Sequence, residues 1–178
     1  FNRIFTDELS GRLFLTGGTA RFEDDVFGRR DFADLGVLGG VVYDGRNNKT
    51  DATKGVYGEL VVQPYYEFVH GNPTVLMTAE GRAYHGFADD RLVLAGRLKI
   101  GSVIGPSIAE IAPDKLFFAG GGGSVRGYAY RNIGVTQPSG AVTGGRSLVE
   151  ASAELRTRVT DAIGLVGFID AGYVGADS

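Results

Sequence analysis

The sequence has 178 residues, 43% of them hydrophobic and 22% charged, with a formal net charge of −3; this suits one domain or part of a larger one and excludes a chain disordered by composition. The absence of cysteine rules out a disulfide scaffold and thiol chemistry, and a mildly acidic balance without a long basic run argues against nucleic acid as a partner. No apolar run approaches the roughly 18 residues of a transmembrane helix and no signal-peptide pattern opens the sequence, which leaves soluble folds and membrane β-barrels, whose alternating strands escape such a search.

In chain order, 11–22 and 34–45 are the weaker strand candidates, and GRNNKTDATKG (45–55) reads as a polar connection. The segment 55–69 separates by period two: Val56, Gly58, Leu60, Val62, Pro64, Tyr66 and Phe68 form an apolar face against Tyr57, Glu59, Gln63, Tyr65 and Glu67. In 74–87 the apolar face is Val75, Met77, Ala79, Ala83 and Phe87, opposite Thr78, Glu80, Arg82 and Tyr84. In 91–103, Leu92, Leu94, Leu98 and Ile100 oppose Val93, Ala95, Arg97 and Lys99. The same division recurs in 147–159, where Val149, Ala151, Ala153 and Leu155 oppose Glu150, Ser152, Glu154 and Arg156. In 162–174, Leu165, Ile169 and Tyr173 oppose Phe168, Asp170 and Gly172. HGNPT (70–74), HGFADDR (85–91) and TDAI (160–163) are short hairpin links.

The pattern predicts an all-β antiparallel meander of seven strands without helical periodicity. Its strands, at about 11 to 15 residues, exceed the usual globular five or six and suit a tilted membrane wall. Alternation alone leaves a soluble β-sandwich open, since that fold also hides one apolar face. The other face carries Glu, Arg and Tyr together, as the lining of a wet, crowded lumen would.

Some forty residues between the strands, about 104–146, show no strand pattern and contain FFAGGGGSVRGYAY (117–130). Loops beyond about 12 to 15 residues are usually functional or disordered. Disorder is at odds with Phe117, Phe118, Val125, Tyr128 and Tyr130, which bracket the glycines and are expected to be buried. A phosphate-cradling loop is excluded by spacing, because neither glycine-rich nucleotide signature aligns to AGGGGSVRG. The remaining expectation is a tightly folded loop that delivers Arg126 to a fixed place, with Gly120, Gly121, Gly122 and Gly123 allowing the backbone to turn and pack closely.

Val125, Arg126, Gly127 and Tyr128 resemble the VRG[FY] signature in the long inward-folded sixth loop of the bacterial surface antigen family, of the BamA and TamA type. Phe168, Asp170 and Gly172 in FIDAG are similar to the family's F-x-D-x-G partner motif, and Glu154 matches an acidic residue on the strand between. YDGRNNKTDATKGVYGEL is a looser likeness to a family strand-turn-strand, with Gly45 in place of the usual threonine and Thr53 near the usual proline. The resemblance covers roughly residues 35 to 178. It implies that the whole chain, 1–178, is part of a sixteen-stranded transmembrane barrel domain whose closing strands are not in it. Arg126 is then expected to dock onto Glu154 and Asp170, which the alternation independently puts on the polar faces of adjacent strands. A guanidinium taken from water needs bidentate acceptors of this kind.

The resemblance further implies an outer-membrane assembly factor that inserts or folds β-barrel proteins, or helps secrete a passenger, by templating strand addition without nucleotide or other cofactor. Its expected partners are unfolded clients, the lipid bilayer of the Gram-negative outer membrane and accessory assembly proteins, with no enzymatic bond chemistry. A passive outer-membrane pore or secretion channel is the alternative. Asp24-Asp25 and Asp89-Asp90 read as turn residues, because neighbours on a strand face opposite ways. His70 and His85, without cysteine, offer little for a metal site, and Asn48-Lys49-Thr50 is a common triplet in a polar turn.

Overall fold

The computed structural model describes residues 1–160 and 162–178, so the expected TDAI link falls partly outside the described residues, at Asp161. Among the described residues, eight strands form one sheet in the order β1 (Asn2–Ile4), β2 (Leu9–Asp24), β3 (Gly28–Asp44), β4 (Gly55–Glu67), β5 (Asn72–Phe87), β6 (Leu92–Ile104), β9 (Ser147–Arg158) and β10 (Gly164–Gly175). Every neighbour pair is antiparallel, which makes the sheet a meander. Its one interruption is the long loop between β6 and β9. At about 3.3 Å per residue, the 13-residue β6 tilted by roughly 40° rises about 33 Å, close to the ~30 Å hydrocarbon layer.

Exposure separates the membrane wall from the soluble sandwich. The face that alternation marks as apolar is the outward one: Leu60 is 50%, Leu98 52% and Leu165 60% exposed, and no second layer covers them. Each side chain of this size gains about 1.5–3 kcal/mol when fully removed from water, so a continuous row of them on an outer surface marks a face made for apolar contact, which a lipid layer would supply. A sandwich would have turned the same residues into its core.

Two clusters of buried apolar residues lie instead on the opposite face, under the long loop. One cluster joins Val103, Ile111 and Leu116, with Leu76, Ile108 and Phe117 packed against it. A second joins Ala119, Val125, Leu148 and Val174, with Phe117, Ile133 and Val135 alongside. Gly101 on β6 makes the close approach possible, since a Cβ there would stand 2.6 Å from the Phe117 ring.

The weakest sequence candidates are among the longest strands: 11–22 falls within the 16 residues of β2, and 34–45 overlaps the 17 residues of β3. Glycines thin their apolar pattern, and Gly36 shows why they are there. A Cβ at 36 would fall 2.5 Å from the Cβ of Tyr65, which is buried beside it. Pairing with neighbours, unbroken from Leu9–Tyr43 to Asp24–Gly28, carries these strands where local alternation is poor.

The long loop is also more ordered than its sequence suggests. Short 3-10 turns form at Ile108–Glu110 and Pro113–Lys115, and β7 (Val135–Thr136) pairs with β8 (Val142–Thr143) in a small hairpin. Isolated bridges tie Phe117 to Gly145 and Ala119 to Ile133. The loop therefore carries its own backbone pairing and lies on the wall as a folded unit.

Candidate functional site

Register on the inner face creates the site. In β10, Phe168, Asp170 and Gly172 alternate toward the inside, and antiparallel pairing sets them opposite Glu154, Ser152 and Glu150 of β9. Three successive luminal rows thus present an aromatic ring with a carboxylate, a carboxylate with a hydroxyl, and an open space with a carboxylate.

The loop tip fills these rows. Arg126 donates from Nε and Nη2 to the two oxygens of Asp170, each at 2.7 Å, and its backbone N–H donates to the same carboxylate at 3.0 Å. Its Nη1 donates to Glu154 and its Nη2 also reaches Ser152 Oγ at 2.9 Å. Ser152 donates in turn to Asp170 at 2.6 Å. The guanidinium carbon lies 3.6 Å from the centre of the Phe168 ring, a cation–π contact that closes the remaining face. The Asp170 side chain is 2% exposed, so the fork operates largely out of water, where charge-assisted hydrogen bonds are strongest and most directional. Asp170 first, and then Glu154, hold the Arg126 guanidinium above the ordinary arginine pKa.

The motif glycines have separate tasks. Gly172 leaves the space that Val125 enters, because a Cβ at 172 would stand 2.5 Å from Val125 Cγ2. Gly120, Gly121 and Gly127 adopt φ of +105°, +101° and +90°, which favour glycine. A Cβ at Gly120 would also meet Ala129 O at 2.5 Å. Gly122 and Gly123 have open space around them and line a luminal cavity of about 220 Å³ with Arg82, Arg97, Arg126 and Arg156.

Two expectations need correction. Tyr128 and Tyr130 are not buried but 56% and 82% exposed. The turn at Gly127 and the hydrogen bond from Gly121 N–H to Tyr128 O reverse the chain after Arg126, so these rings project away from the strands that Val125 and Arg126 contact. The described wall residues nearest the tip also include more than the named acids. Ser124 donates to Glu150, a carboxylate 3% exposed, and Arg97 Nη2 lies 3.0 Å from the other Glu150 oxygen. Arg97 is shared with Glu80, which also accepts from Arg82 at 2.6 Å. The charge alternation of β5, β6 and β9 was the available signal for this network; which row would meet the loop was not.

The remaining candidates sit in turns or toward strand ends. Asp24 accepts the N–H groups of Val26 and Phe27 and pairs with Arg30. Asp90 accepts from Thr53 and pairs with Lys54, while Asp89 and Asp90 take φ of +55° and +62° in the 88–91 turn. His70 contacts Glu67 at 2.8 Å, His85 meets Phe87 edge-to-face, and Asn48 accepts from Thr50 and Asp51.

Residues 14–178 match the sequence model of the Omp85 superfamily domain. Among solved structures, the fold is similar to that described as BamA from Haemophilus ducreyi lacking POTRA domains 1-3, with a TM-score of 0.77 at 19% identity. The alignment covers 97% of this chain and 40% of that one, a likeness of fold over less than half of that molecule.

Proposed function

The chain belongs to the Omp85 superfamily, and from that premise we propose that it is part of the membrane barrel domain of an outer-membrane assembly factor, which folds and inserts β-barrel clients or helps secrete a passenger. The observation that carries the reading is the docked tip: Arg126 bound through a fork to Asp170 and through Nη1 to Glu154, on the inner face of a wall whose outer face is apolar. A loop folded inward and fastened at mid-wall keeps the interior shaped while the strands carry unpaired or weakly paired backbone to an incoming strand, the physical basis of strand addition. The work required is to lower a folding barrier, so neither a nucleotide nor a bond-making residue has a place in it. The partners that fit are unfolded barrel proteins or passengers, accessory assembly proteins and the lipid against the outer face.

The test is the rate at which a urea-unfolded outer-membrane barrel protein folds into liposomes carrying the full-length protein, compared with empty liposomes and with Arg126→Ala. The expected result is acceleration by the wild type and loss of most of it in a still-folded Arg126→Ala. Equal rates in all three would replace the assembly reading with a passive pore or secretion channel.

A further inference from the structure

The loop tip touches the wall at two places rather than one. Two residues before Arg126, the Ser124 hydroxyl accepts the Gly120 N–H at 3.0 Å and donates to Glu150. This contact ties the start of the glycine run to a carboxylate that is almost fully removed from water. Glu150 lies one row from Ser152 and two rows from Glu154 on the same face of β9, opposite Gly172, so Ser124, Val125 and Arg126 descend the wall in step with the strand register.

Geometry gives this second contact a task. The fork and the Arg126 backbone N–H fix residue 126 on Asp170, but the glycine run Gly120–Gly123 leading to it leaves many backbone paths by which the chain can arrive there. A short serine side chain two residues away removes that freedom. A register slip by one residue would set Val125 against the Glu150 charge and take it out of the Gly172 space. The buried Glu150 charge is costly by itself and is compensated by Arg97, itself held by Glu80 at 3.2 and 3.3 Å. A network that is expensive to bury and adds directionality suits placement better than bulk stability.

We propose that Ser124 and Glu150 are the positioning pair of the loop tip, with Arg97 Nη2 3.0 Å from the second Glu150 oxygen, and that they act through Arg126 by setting the backbone from which it reaches Asp170 and Glu154. This rests on the reading above that the docked tip is the working form of an assembly factor.

The experiment uses the full-length protein in liposomes with nitroxide labels on Tyr130→Cys, at the exposed tip, and Ala151→Cys, on the outward face of β9, any other cysteine being replaced. Distance distributions and client folding rates are measured for Ser124→Ala, Ser124→Thr, Glu150→Gln and Ser124→Ala with Arg126→Ala. Ser124→Ala is expected to add a second, displaced tip population and slow client folding by about 3- to 10-fold. Ser124→Thr, which keeps the hydroxyl, is expected to restore both. The double variant is expected to be no slower than Arg126→Ala alone, because a positioning residue has nothing left to position. A single docked distance in Ser124→Ala, or a double variant slower by the product of the two single effects, would overturn the proposal. If Glu150→Gln does not fold, the serine variants decide it without that residue. Failure of the wild type to accelerate the client would overturn the assembly reading alone, since the distance distributions still report whether Ser124 places the tip.

Discussion

From Ile108 to Leu116 the long loop is held to the wall chiefly by carbon, with Val103 and Ile111 at 0% and 1% exposure and Leu76 and Phe117 packed around them. From Gly120 to Arg126 it is held chiefly by charge, through Ser124 on Glu150 and Arg126 on Asp170 and Glu154. Polar contacts at the base are scattered rather than forked, among them Lys115 to Asp34 at 3.2 Å, Arg30 to Ala109 O at 2.8 Å and Asn72 to Glu110 at 3.4 Å. Apolar contact is non-directional and follows the area removed from water, so the base resists detachment without specifying one register. The ionic tip has the opposite character, since much of its attraction is offset by desolvation while its geometry accepts one arrangement. The base attaches the loop and the tip places it, which allows the tip to be released while the base stays bound.

The sharpest way to break this division is to damage each half alone. Ile111→Ala removes a fully buried side chain from the base and is expected to cost about 2–5 kcal/mol, read as a lower urea midpoint for the whole fold. Asp170→Asn removes the fork acceptor and is expected to cost on the order of 3 kcal/mol, confined to docking of the tip. It should leave the midpoint near that of the wild type and open the chain to trypsin after Arg126. If Asp170→Asn lowers the midpoint as far as Ile111→Ala and leaves trypsin cleavage unchanged, base and tip are one cooperative unit.

The packing between Val125 and Gly172 lies at the border of the two halves and sharpens the comparison. Gly172→Ala would place a methyl carbon 2.5 Å from Val125 Cγ2, an overpacking expected to cost about 1–3 kcal/mol and to displace the tip. Val125→Ala in the same chain should relieve it, giving a double-mutant coupling on the order of 1 kcal/mol when tip release is followed by trypsin. Additive effects would mean that the wall near Gly172 moves aside and that the glycine is not required for docking.

The sequence showed the outward face directly, because lipid contact demands apolar residues at every second position and β4, β6, β9 and β10 supply them. It also named the elements of the tip that depend on alternation alone: Glu154 and Asp170 on one face, and Phe168 and Gly172 in phase with Asp170. It did not show which residues face which across strands, since register depends on pairing over the full length of β9 and β10. That is why Glu150, indistinguishable from Glu154 by alternation, gave no sign that Ser124 would reach it. The β2 and β3 strands were faint for a related reason, as glycines such as Gly36 answer to a neighbour's side chain rather than to their own pattern. Tyr128 and Tyr130 were misjudged because composition reports that an aromatic ring is present and not which way a left-handed glycine turns the chain before it.

The smallest effect expected at the tip is also informative, because the two acids that receive Arg126 are not equivalent. Asp170 takes three of its donors, from Nε, Nη2 and the backbone N–H, and its other described partner is Ser152. Glu154 takes one, and its second oxygen is already occupied by Arg156, with Nε at 2.9 Å and Nη2 at 2.8 Å. Glu154→Gln keeps a carbonyl acceptor that can turn to either arginine, so its expected cost to docking is about 1 kcal/mol, well below that of Asp170→Asn. Trypsin cleavage after Arg126 in the two variants checks the order. Equal cleavage would mean that both acids act as a unit around the guanidinium, and the directional hold assigned to the fork on Asp170 would belong to the pair instead.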